Sequence, residues 1–151
     1  EFYAGRDQSL DFIRRSGFTV PRNASGPHTL PIQLVGVDDP AGGGHPDEVS
    51  LLRQLDRDQF IVLLKHRPQV TPQAEGLFDL QLSGHTHGGQ IFPFGLLTRL
   101  AYPLPAGLVD LPDGSRLYTS RGTGTWGPPM RLFEPPEITL FEIVRAPQGV
   151  P

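Results

Sequence analysis

The sequence predicts an α/β fold, and three features carry that expectation. An amphipathic helix runs directly into a fully apolar strand; a second short strand opens into a glycine-rich His-Thr-His loop; and 17 prolines and 18 glycines punctuate short elements along the whole chain.

In chain order, Ser9 to Ser16 places Leu10, Phe12 and Ile13 at helical spacing, with Gly17 positioned to cap the end. Phe18 to Val20 and Leu30 to Val37 read as strands. The second alternates Leu30, Ile32, Leu34 and Gly36 against Pro31, Gln33, Val35 and Val37, and Arg22 to Pro27 supplies the turn between them. Pro46 suits a first helical turn, and Val49, Leu51, Leu52 and Leu55 give that helix one apolar stripe. Phe60 to Leu64 is a continuous apolar run of the kind covered on both faces of a sheet. Asp79 to Ser83, Ser115 to Ser120 and Glu137 to Val144 complete the expected strands, and Ala146 to Pro151 read as a frayed tail.

At 151 residues the chain has the length of one domain. Hydrophobic content of 37% and charged content of 19% fit a soluble globular protein, and a net charge of -3 offers no basic field, so no nucleic-acid partner is expected. No apolar run is long enough to span a bilayer. Cysteine is absent, so any metal site must use His, carboxylate or amide groups. Met130 is the only methionine and residue 1 is a glutamate, from which we expect sequence upstream.

His85 and His87 stand two apart, so in an extended or turning segment their imidazoles project to one side and can converge on one or two cations. Gly84, Gly88 and Gly89 permit a tight backbone path around them. His66 follows the buried strand by two residues, at the carboxyl end where α/β proteins place their sites. The competing reading makes all three surface histidines on loops. The flanking strands favour a shared site. His28 and His45, in Pro- and Gly-rich turns, read as surface residues.

Leu63-Leu64-Lys65-His66-Arg67-Pro68, followed by Leu82-Ser83-Gly84-His85-Thr86-His87-Gly88-Gly89-Gln90, resembles the last two metal motifs of calcineurin-like metallophosphoesterases. With Gly122-Thr123-Gly124, Pro129-Met130-Arg131 and Pro136-Glu137-Ile138, the chain looks most like a bacterial branch often carrying a membrane anchor or export signal. The start, Glu1-Phe2-Tyr3-Ala4-Gly5, resembles the continuation of the family's Gly-Asn-His-Glu motif, with Glu1 as its acidic residue.

The resemblance implies that residues 1–151 are the C-terminal half of a single domain, a four-layer αββα sandwich. Helices from about Ser9 and Pro46 would pack outside one sheet, and the absent N-terminal half would supply the other. It implies hydrolysis of a phosphomonoester or phosphodiester, from a small-molecule or lipid substrate, at two divalent ions: zinc, manganese or iron. His66 and His85 would bind one ion and His87 the other. The bridging Asp, the Asn ligand and the His serving the leaving group have no counterparts here. Asp38, Asp39 and Asp79 are the in-chain carboxylates to weigh as substitutes. Arg131 is the candidate phosphate-binding residue, against a solvated surface arginine, and Trp126 lines a cleft or acts as a packing lid. A membrane-associated or extracytoplasmic location through the upstream segment is expected.

Two other readings compete. A catalytically incomplete metal-binding or regulatory fragment would keep the fold without turnover. A cupin-type barrel also uses His-x-His, but that pattern wants a glutamate where Gln90 and Ile91 stand and a histidine where Leu108 to Leu111 stand.

Overall fold

The computed structural model describes residues 5–26, 31–43 and 47–144. Expectations for Glu1, His28, His45, Pro46 and the tail from Ala146 fall outside these residues. The elements run α1 (Arg6–Arg15), β1 (Ala24–Ser25), β2 (Ile32–Val37), α2 (Glu48–Arg53), β3 (Phe60–Lys65), β4 (Leu80–Ser83), α3 (Phe94–Ala101), β5 (Gly107–Asp110) and β6 (Arg116–Thr119).

One six-stranded sheet organises the fold, in the order β1-β2-β3-β4-β6-β5. The four inner strands are parallel, and antiparallel β1 and β5 close the two edges. Parallel neighbours need crossovers, and α2 supplies the one from β2 to β3. That helix starts where Asp47 accepts a hydrogen bond from the Ser50 amide at 2.9 Å, satisfying one of the free donors of the first turn.

The sheet has two unequal faces. Val35, Val37, Ile61 and Leu63 point to one side, where Leu52 of α2, Ala74 and Phe78 cover them to form the hydrophobic core. This side is fully buried because β2 and β3 pair in register, Val35 opposite Leu63. On the other side Leu64, Leu82 and Tyr118 line an open cleft of about 520 Å³, bordered by Leu10 and Ile13 of α1. α1 itself contains no buried residue. Among the described residues, no helix is long and apolar enough to cross a membrane.

Three expectations need correction. Phe18 to Val20 is not a strand: the chain there crosses over β2, and a Cβ on Gly36 would lie 2.1 Å from the Pro21 carbonyl oxygen. Glu137 to Val144 is not a strand either, although its residues alternate. β5 already occupies the sheet edge beside β6, so the segment finds no free ladder, and Ile138 and Leu140 are left 90% and 93% exposed. Finally, β5 and α3 were not among the expected elements, whereas β6 lies within the expected Ser115 to Ser120 strand and pairs with β5 as a hairpin. Asp113-Gly114 at the hairpin turn is the signal that identifies it.

Candidate metal centre

β3 and β4 lie side by side and parallel, so their carboxyl ends release the chain at the same edge of the sheet. The ladder continues one step beyond the strands, the Gly84 amide donating to the His66 carbonyl at 3.0 Å. This bond fixes the two loops against each other. His85 Nδ1 then stands 3.0 Å from His66 Nε2, with the rings edge to face at a centroid distance of 4.8 Å. Tyr102, just past α3, packs edge-on against the other side of His85 at 5.3 Å.

His87 takes a different direction. His85 and His87 both adopt left-handed backbone conformations, φ 69° and 50°, so the simple projection of alternate residues to one side does not apply. Such conformations cost non-glycine residues roughly 1 kcal/mol or more each and persist where surrounding contacts enforce them. His87 opens a one-turn 3-10 segment, His87–Gly89, in which Gly88 is left-handed as well, at φ 65°. Gly89, at φ 91°, touches α3 so closely that a Cβ would lie 2.2 Å from the Gly95 Cα. The His87 ring faces the Gly122–Gly124 loop and Arg131, whose Nη2 is 3.3 Å from His87 Nδ1.

Arg131 is turned inward. Its Nε donates to the Gly124 carbonyl, its Nη1 to those of His87 and Glu134, and its Nη2 to those of Arg121 and Gly122. The guanidinium thus gathers the loop that faces His87. Gln90 makes a matching clamp: its Oε1 accepts from the Trp126 amide at 2.6 Å, and its Nε2 donates to the Trp126 carbonyl at 2.8 Å. Gln90 is buried, whereas Trp126 is 71% exposed. Sequence reasoning took Gln90 only as the end of a motif; a buried amide has to find partners, and that is the signal its position carried.

The carboxylates are committed elsewhere. Asp38 pairs with Arg22. Asp39, buried, grips Arg67 through two hydrogen bonds of 2.8 and 3.0 Å and caps the following turn through the Ala41 amide. Asp79 Oδ2 accepts from the Ile61 amide at 2.7 Å. Among the described residues, no three His, Asp or Glu side chains converge as a metal-binding group. The expected trio is therefore a contacting pair, His66 and His85, with His87 beside it in a separate pocket of hydrogen bonds.

The chemistry of the pair suits a divalent ion. Partial desolvation pushes the His85 pKa below the usual imidazole value, and the positive fields of His66 and Arg67 add to it against the opposing field of Asp39. His87 is lowered too, by desolvation first and then by Arg131 and His66. The lowered values favour the neutral form of His85 and His87, which is the ligating form. Two nitrogens on a tetrahedral zinc stand about 3.3 Å apart, close to the separation of the opposed His66 and His85 nitrogens. Among the described residues, no carboxylate joins the pair in a metal-binding group.

The chain is 40% identical over 149 residues to an uncharacterized metallophosphoesterase of Aquifex aeolicus, covering 95% of this chain and 57% of that protein. It is 36% identical over 149 residues to one from Campylobacter jejuni, covering 95% and 40% respectively. A transmembrane protein with metallophosphoesterase domain from Bos taurus is 38% identical over 125 residues, covering 77% of this chain and 28% of the relative. The chain thus spans little more than half, or less, of these relatives. No protein-family model and no solved structure matches it. With this identity sustained across nearly all of its residues and the histidine loops placed side by side on a parallel sheet, the chain belongs to the calcineurin-like metallophosphoesterase superfamily.

Proposed function

We propose that this chain supplies the histidine side of a metal-dependent phosphoesterase centre that hydrolyses a phosphomonoester or phosphodiester. The 3.0 Å approach of His85 Nδ1 to His66 Nε2 at the carboxyl edge of the sheet carries this reading. Opposed ring nitrogens at an exposed strand end, with the His85 pKa lowered toward the neutral form by desolvation, support a ligand pair.

In this reading His66 and His85 hold one divalent ion and His87 contributes to a second, with zinc, manganese and iron the fitting metals. When bound, such ions act as Lewis acids on the phosphoryl oxygens and offset their charge. The chain's own residues orient and support. Tyr102 and the Gly84–His66 backbone bond hold the His66–His85 pair, and Arg131 positions the loop facing His87. Arg131 serves the substrate indirectly, since its N–H groups already meet carbonyl oxygens.

The carboxylates come from the remainder of the domain, outside this chain. That view is supported by the commitment of Asp38, Asp39 and Asp79 to other partners. The same observation favours a second reading, in which the chain alone binds metal weakly and turns nothing over. Attachment of the whole protein to a membrane, as the bovine relative's name states of that protein, belongs to the proposal as well.

Metal content and hydrolysis of a nitrophenyl phosphodiester, measured on this chain with and without the upstream sequence, test the reading. Metal-dependent turnover that appears only with the upstream sequence and vanishes in His85→Ala supports it. Turnover indifferent to His66→Ala and His85→Ala contradicts it.

A further inference from the structure

α3 is amphipathic in the reverse sense. A surface helix normally turns its apolar side to the core. Here Gly95 packs against Gly89 and Thr98 is half-buried, while Leu96, Leu97 and Leu100 on the opposite side are 59%, 60% and 83% exposed. The flanking chain extends the same surface: Phe92 and Phe94 are 59% and 54% exposed, and Phe92 stacks edge to face on Phe133 at 6.1 Å. Contiguous apolar surface of this kind marks an interaction site.

The charge pattern identifies the partner. The chain carries a net charge of -3, yet no Asp or Glu occurs between Asp79 and Asp110, or between Asp113 and Glu134. α3, and the Trp126 loop that Gln90 clamps to the histidine loop, therefore carry Leu, Phe and Trp within stretches that hold no Asp or Glu, and exposed Arg99 stands beside the leucines. Apolar anchors bordered by Arg99, with Glu134 beside Phe133 facing Arg121 at 4.0 Å, complement an anionic bilayer surface.

We propose that α3 and its flanking loops dock on the surface of an anionic lipid bilayer, with Leu96, Leu97 and Leu100 entering the headgroup–acyl boundary and Arg99 at the phosphates. Because α3 is joined to the His87–Gly89 turn through the Gly89–Gly95 contact, and Tyr102 at its end packs on His85, docking holds the histidine edge next to the membrane. The inference stands on exposure and charge, independent of any hydrolytic activity.

Co-sedimentation of the chain with vesicles of phosphatidylcholine and phosphatidylglycerol tests it, with phosphatidylcholine vesicles for comparison. Stronger binding to the anionic vesicles is expected. Leu97→Glu/Leu100→Glu should weaken it at least about tenfold, and Arg99→Glu should remove most of the anionic preference. Leu140→Glu, which changes a residue 93% exposed on another face, should leave binding intact, with circular dichroism confirming that each variant folds. The chain has a single tryptophan, Trp126, so brominated lipid should quench its emission.

Four outcomes of the vesicle experiments overturn the proposal. These are no binding to anionic vesicles, binding that survives Leu97→Glu/Leu100→Glu, an equal loss in Leu140→Glu, and binding without quenching of Trp126. A dimer in vesicle-free solution that Leu97→Glu/Leu100→Glu dissolves would identify a second copy as the occupant, and overturns it too.

Discussion

The Gln90 side chain closes two hydrogen bonds with the backbone of Trp126, accepting from its amide at 2.6 Å and donating to its carbonyl at 2.8 Å, as a neighbouring strand would. This amide, buried and placed three residues after His87, is what joins the histidine loop to the loop that faces it. Both of its polar atoms are needed. In Gln90→Glu the carboxylate keeps the acceptor but loses the donor and faces the carbonyls of Trp126 and Pro128. A loss of roughly 2–3 kcal/mol is expected, because a buried acceptor without a donor costs its full desolvation. Urea unfolding followed by Trp126 emission measures it, and an unchanged midpoint would show that the clamp is dispensable.

Two glycines of the histidine loop should respond oppositely to alanine. Gly89 sits at φ 91° with Gly95 at 2.2 Å from any added Cβ. Gly84 has normal φ, and its nearest neighbour, the Ser120 carbonyl, lies 3.9 Å from a Cβ. Gly89→Ala should displace α3 and lower stability by several kcal/mol, about 3 or more, through overpacking and backbone strain combined. Gly84→Ala should cost about 1 kcal/mol or less. Thermal denaturation of both variants is the comparison.

Much of this was readable from the residues. The Phe60 to Leu64 run gave a buried strand because a parallel inner strand is covered on both faces and needs no alternation. The His66 and His85 contact followed from two such strands ending together. Other parts were illegible for physical reasons. Glu137 to Val144 has the alternation of a strand, but pairing depends on a free sheet edge, and β5 holds it. α3 hides because its stripe points outward and a glycine sits at its contact. The direction of His87 depends on left-handed backbone at His85 and His87, a conformation that spacing arguments assume away.

Acid should weaken the packing of residues 121–137 through Glu137. Burial pushes this carboxyl up, but hydrogen bonds from the Arg121 amide and guanidinium and from the Tyr118 hydroxyl outweigh it, and its pKa is held below the ordinary value. A carboxyl with a depressed folded pKa contributes stability that is complete above its unfolded value, about 4.3, and is lost as pH falls through the folded value. Melting temperature should therefore fall below about pH 4, and Glu137→Gln should start lower and fall less over the same range. An identical acid slope in the variant would assign the effect to other carboxyls.

The central claim is that His66 and His85 act together on one metal ion. Calorimetric titration of zinc into the chain, His66→Ala, His85→Ala and the double variant measures this directly. If the two rings share an ion, each single substitution removes nearly all the affinity that the double variant loses. Equal affinities in all four proteins, or losses that simply add, would contradict a shared site and return the 3.0 Å contact to a packing interaction between loops.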